Sequence, residues 1–186
     1  MSAHGIGGSD TAAALRCAFD ASFAARRTLE APVLEDLLAI RVGSQPYALR
    51  MSEIAAIHLD RKFVPLASRM SEMLGVAAFH GVLAPVFDLR ALLGYPQGPT
   101  PRWVVLARTP DPVALAFDLF EAHLRVPGED VFSETPEHKG ARQRHVRGAV
   151  RTADVVRPLI HVASIIEALT KRVRPEGRPE GAVIDV

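Results

Sequence analysis

Apolar residues recur along this chain in short runs broken by turn formers, the pattern of β-strands rather than of long helices. Leu37, Leu38, Ile40 and Val42 lead to turn residues from Gly43 to Pro46, after which Tyr47, Ala48 and Leu49 resume; this predicts a β-hairpin. Ile54 to Leu59 and Phe63 to Leu66 continue as strand-like runs. Ser68 is placed to cap a short helical turn through Met73 and Leu74, closed by Gly75. From Gly81 to Leu89 the chain reads as an apolar strand whose Pro85 argues for an edge or a bulge. Ala91 to Leu93 predicts a helical turn ending at Gly94. Residues 95–101 (Tyr-Pro-Gln-Gly-Pro-Thr-Pro) are too densely punctuated for any regular element to cross, so they divide the chain into two halves. The second half opens with Trp103 to Ala107, turns at Pro110 to Pro112 and resumes over Val113 to Phe117, in the manner of the first hairpin.

The two halves also close alike. Residues 85–93 align with residues 158–166, from Pro85 and Pro158 onward at an offset of 73 residues, each a strand-then-helix unit following a glycine, Gly81 or Gly148. Ahead of the first half, Ser9 or Asp10 caps a predicted amphipathic helix over about 10–27, with Leu15, Phe19 and Phe23 on one face. That stripe either packs on its own body or docks on a partner. Past Leu169 the sequence turns basic and repeats Arg-Pro-Glu-Gly at 174 and 178, a composition unable to bury enough surface to order itself. The expected organisation is therefore an N-terminal segment 1–34, a body 35–171 and a disordered tail 172–186. Within the body, first and second β units span about 37–94 and 102–160, and a closing helix spans about 162–171.

Composition narrows the function. Apolar residues make up 48% of the chain, enough for a sizeable core. Lys plus Arg number 22 against 21 Asp plus Glu, so no long-range field draws nucleic acid or an anionic membrane. Cys17 is alone, which excludes an intrachain disulfide framework and fits a reducing compartment. No secretory signal or membrane span can be drawn in the first residues, and the expectation is a cytoplasmic protein. The histidines lack metal-site spacing, and no nucleophile stands in sequence beside a base, so neither catalytic residues, metal nor cofactor is expected. Asp88 and Asp118 end apolar strands, where hydrogen bonding to backbone is their expected use. The basic run around His145 (Lys139, Arg142, Arg144, Arg147) has no interleaved aromatic and reads as a solvated hairpin tip.

The phrase from Leu74 to Leu89, Leu-Gly-Val-Ala-Ala-Phe-His-Gly-Val-Leu-Ala-Pro-Val-Phe-Asp-Leu, resembles the signature of the CheW family of bacterial chemotaxis coupling proteins. Val113 to Asp118 and Val146 to Val150 are similar to that family's second-half strands, and the resemblance runs from about Leu37 to Leu169. It implies an all-β fold of two tandem SH3-like five-stranded barrels sharing a hydrophobic core, here with an added N-terminal helix and a short C-terminal helix. It further implies a non-catalytic adaptor coupling a methyl-accepting chemotaxis receptor to the regulatory domain of a CheA-type histidine kinase. Such a protein is recruited to receptor arrays without inserting in the membrane. By position, the implied protein-binding residues are Ile54, Ala56, Ile57, His80, Gly81, Val82 and Asp118. The chain departs from the family pattern at His80, where an Arg is usual, and at Ala56, Ala114 and His161. An imidazole offers at most two donors where guanidinium offers five, so the usual receptor contact does not carry over unchanged. Two further readings are a small-molecule sensor module with its site between the barrels, and a hydrolase, which requires a nucleophile and base in contact within a cleft.

Overall fold

Side-chain alternation sorts the apolar residues of this protein between three clusters. A computed structural model describes residues 33–132, 144–152 and 155–173. Among these described residues eleven strands run in chain order: β1 (Leu34–Val42), β2 (Gln45–Arg50), β3 (Ile54–Leu59), β4 (Met73–Phe79), β5 (Val82–Asp88), β6 (Trp103–Ala107), β7 (Ala114–Phe117), β8 (Leu119–Pro127), β9 (Val131–Phe132), β10 (Val146–Arg151) and β11 (Val156–Ile160). Two α-helices accompany them among the described residues, α1 (Leu89–Leu92) and α2 (Val162–Val173). The expected helix over 10–27 with Leu15, Phe19 and Phe23, the run 133–143 and the tail beyond 173 lie outside the described residues.

The strands form a six-stranded sheet, β8-β1-β2-β11-β10-β9, and a five-stranded sheet, β3-β6-β7-β5-β4. Because neighbouring residues in a strand point to opposite faces, most of the strands serve two clusters. Ala114 and Ala116 of β7, Ala84 and Val86 of β5, and Val104 of β6 fill the interior of the five-stranded sheet. Leu37, Ala48, Val150 and Leu159 do the same for the six-stranded one. The alternate residues, Leu38, Ile40, Val42 and Leu49 from one sheet and Phe87, Val105, Leu115 and Phe117 from the other, meet in a shared core. Val162, Ile165 and Leu169 of α2 join that core. At about 1.5–3 kcal/mol for each fully buried large side chain, this seam is the dominant stabilising layer. The all-β, twin-sheet architecture expected from the sequence is thus the one observed.

The membership of the sheets crosses the boundary between the sequence halves. Hairpin β1–β2, from the first half, joins the second half's strands through a parallel pair, Leu159 with Ala48. Hairpin β6–β7, from the second half, joins β5 through a parallel pair, Val86 with Ala114. These two parallel junctions occupy equivalent places in the 73-residue repeat, Val86 matching Leu159, so the duplication is visible in three dimensions.

Three local expectations are corrected. Met73, Leu74 and Gly75 belong to strand β4, not to a helical turn. Ser68 Oγ accepts from the Met70 N–H at 3.0 Å, which makes a tight turn only. Pro85 lies in an interior strand and not at an edge, but beside the irregularity where the β4–β5 register shifts between Met73 and Gly75; pairing with β7 begins only at Val86, so the missing proline N–H is not called on there. Of the Phe63 to Leu66 run, only Val64 pairs, with Val76 as an isolated bridge. Gly75 allows that approach: a Cβ there would lie 2.1 Å from the Val64 carbonyl oxygen. Among the described residues no helix is long and apolar enough to cross a membrane.

Candidate functional site

The turn between β4 and β5 consists of His80 and Gly81, with φ of 50° and 86°. Positive φ at both central residues is the twist that a two-residue hairpin requires, and Phe79 pairs with Val82 across it. The turn leaves His80 and Gly81 exposed and projects Val82 and Leu83 outward, Leu83 at 68% exposure. Strand β3 lies at the opposite end of the same sheet in hydrogen-bonding order. Curling brings the two ends together, for the His58 ring lies 5.7 Å from that of His80 and 5.1 Å from that of Phe79. Arg61, just past β3, donates to the Ala78 carbonyl and stands 5.5 Å over the Phe79 ring, stitching the seam.

Along β3, burial alternates. Ile54 is buried in the shared core, Ala56 is half-buried, and Ile57 and Leu59 face outward. The implied contact residues therefore divide. His80, Gly81 and Val82 form one exposed turn, and His58 links that turn to β3, whose outer face carries Ile57 and Leu59. Ile54 supports the strand from beneath. Asp118 is committed elsewhere: its carboxylate accepts from the Gly43 N–H at the β1–β2 turn and pairs with Arg90 of α1. Asp88 likewise serves the backbone, accepting from the Arg90 N–H at 2.9 Å as the cap of α1.

The seam encloses a groove of about 560 Å³, lined among others by His58, Arg61, Lys62, Val64, Ala78 and Leu83. His58 Nε2 is buried there with no hydrogen-bond partner among the described residues. Its burial, then the charge of Arg61 and the neighbouring His80, hold the imidazole below the usual histidine range. The sequence reading passed over His58, Leu59, Arg61, Lys62, Val64 and Leu83. The signal available was the exposed alternation of apolar and charged residues from Ile57 to Lys62, which a solvent-facing strand end with no function would not need to keep apolar.

A second cavity, about 380 Å³, lies under the 95–101 loop and is lined by Phe63, Leu74, Asp88, Tyr95 and Thr100 among others. Among the described residues a hydroxyl and an imidazole meet at Ser164 Oγ and His145 Nδ1, 3.1 Å apart. Ser164 Oγ also donates to the His161 carbonyl at 2.8 Å, which spends the hydroxyl proton and casts the His145 ring as donor, the reverse of a base. No group of three His, Cys, Asp or Glu side chains comes together among the described residues as a metal site would need.

Residues 36–170 match the CheW-like domain family. No curated protein matches the chain. Among solved structures, the scaffolding protein TtCheW from Thermoanaerobacter tengcongensis superimposes with a TM-score of 0.62 at 14% identity, the match covering 70% of this chain and 89% of that one. At that identity the likeness speaks for the fold.

Proposed function

Because the chain belongs to the CheW-like domain family, we propose that it works as a non-catalytic signalling adaptor, coupling a chemoreceptor-type sensor to the regulatory domain of a CheA-type histidine kinase. The observation that carries this reading is the exposed apolar face of the five-stranded sheet: Ile57 and Leu59 on β3 with Val82 and Leu83 beside the His80-Gly81 turn. These side chains sit on a backbone held by paired strands and a shared core, so a partner meets a preformed surface and loses little ordering entropy. Ala56, Ile57, His80, Gly81 and Val82 are the proposed contacts, with Ile54 holding β3 in place from the core.

A specific contact of this kind buries on the order of 1,200–2,000 Å². Each need be only about micromolar, roughly −8 kcal/mol, because a second contact to the same assembly becomes effectively intramolecular. In this proposal the body 35–171 is the adaptor, working in the cytoplasm and recruited to receptor arrays. Its output is the relative placement of the partners, with no bond made or broken. The test is calorimetry of the purified chain against the CheA-type regulatory domain and the receptor cytoplasmic fragment of the same genome. Binding to both, weakened about tenfold or more by Val82→Asp, is the expected result; heats indistinguishable from dilution with both partners would end the proposal.

A further inference from the structure

The groove at the β3–β4 seam carries positive charge that its surroundings do not neutralise. Asp60 also lines the groove, but it gives both carboxylate oxygens to Arg102 at 2.7 and 2.6 Å, so its charge is offset by that pair and not by Arg61 or Lys62. Arg61 is occupied by a carbonyl and an aromatic face and meets no carboxylate among the described residues. Lys62 lines the same groove and likewise has no acidic partner among them. His58 adds a buried ring nitrogen without a hydrogen-bond partner among the described residues. Around these cations stand three exposed apolar side chains, Leu59 at 48%, Val64 at 66% and Leu83 at 68%.

A wholly apolar partner laid over this groove would strip water from Arg61 and Lys62 and return nothing, a cost that selects against it. A carboxylate set between apolar side chains meets both needs. We propose that the groove receives an acidic-apolar segment of the docking protein, its carboxylate meeting Arg61 and Lys62 and its flanking side chains covering Leu59, Val64 and Leu83. This rests on the adaptor reading and adds the chemistry of the partner. An anionic bilayer fits less well, since it is held by clusters of about four to eight cations on an open surface, whereas this site is a concave groove with two.

The test is an NMR titration of the full, 15N-labelled chain with a capped hexapeptide, acetyl-Glu-Leu-Asp-Val-Glu-Leu-amide, and with its counterpart bearing Gln and Asn for the acids. The acidic peptide is expected to shift the backbone amides of Leu59, Arg61, Lys62 and Leu83, the neutral one to bind at least about fivefold more weakly. Raising salt from about 50 to 300 mM is expected to narrow that difference. Lys62→Glu removes the preference; it is the cleaner variant, because Arg61 also stitches the seam and its loss would disturb the fold. Leu83→Ser weakens both peptides alike. Equal shifts from the two peptides, shifts lying elsewhere, or a preference for phosphatidylserine vesicles that Lys62→Glu abolishes would each overturn the proposal. Failure of the adaptor reading shows separately, as absent heats with the kinase and receptor partners, and does not alter the peptide result.

Discussion

Replacing Asp118 by Ala removes a carboxylate that ties the β1–β2 turn of one sheet to α1 beside the other. The side chains of Asp118 and Arg90 are 18% and 14% exposed, so the pair is mostly shielded from water. The variant leaves the Arg90 guanidinium shielded without its counter-ion and the Gly43 N–H without its acceptor. Breaking a fully buried pair from one side costs about 3–5 kcal/mol, and the residual exposure lowers that here to about 2–4 kcal/mol. At about 2–4 °C per kcal/mol for a chain of this size, the melting temperature falls by roughly 4–16 °C. Urea titration and thermal melting followed by far-ultraviolet circular dichroism measure both. Asp118→Asn keeps an acceptor for Gly43 and loses about half as much. The double variant Arg90→Ala with Asp118→Ala loses less than the sum of the singles by about 1–2 kcal/mol. A stability within about 0.5 kcal/mol of the parent, or strict additivity, refutes the reasoning. Loss of partner binding by a fully folded Asp118→Ala protein would return this residue to the contact face.

Gly75→Ala and Gly43→Ala separate steric from conformational cost. At Gly75 a Cβ collides with the Val64 carbonyl at φ of +145°, whereas at Gly43, with φ of +64°, nothing lies within 4 Å. The first is expected to cost more than about 3 kcal/mol and the second about 1 kcal/mol, read as urea midpoints; equal costs would mean that β4 does not lie against Val64. His145 is buried, and that burial, then the charges of Arg144, Arg172 and Arg147, hold its imidazole below the ordinary histidine range. As pH falls below about 6.5 the unfolded chain therefore takes up its proton first. The stability that neutral His145 supports is intact above that pH and declines as pH falls towards the folded-state value. His58 shifts in the same direction, so the reading is the difference between parent and His145→Gln, whose urea midpoint should fall less between pH 7.5 and 5.5; parallel curves would rule the effect out. Ile165→Ala, which empties part of the shared core beneath α2, should lose about 2–5 kcal/mol in the same titration, and a loss under 1 kcal/mol would show that α2 is not part of the core.

Strand identity was legible wherever burial follows the local pattern. The runs at Leu37 to Leu49, Trp103 to Ala107 and Val113 to Phe117 are strands whose apolar side chains feed two clusters at once, and Ile54 to Leu59 is one whose alternation sends Ile54 to the core and Ile57 and Leu59 outward. Strand β8 was legible too, since Phe120, Ala122, Leu124 and Val126 alternate with Glu121, His123 and Arg125 in the period of a half-exposed strand; its place beside β1 is set only by tertiary pairing. Strand β4 was misread because Ser68 and Gly75 carry helix-end signals, whereas the real reason for Gly75 is a carbonyl eleven residues away in sequence.

By itself, then, the order of residues determined an all-β body, its repeated strand-then-helix ending and the glycine-bearing turns, since propensity and alternation act over a few residues. The exchange of hairpins between sheets, the internal duty of Asp118 and the meeting of His58 with His80 were decided only in three dimensions. Each depends on groups tens of residues apart whose approach is set by burying the shared core, and no local pattern encodes which distant surface a strand will cover.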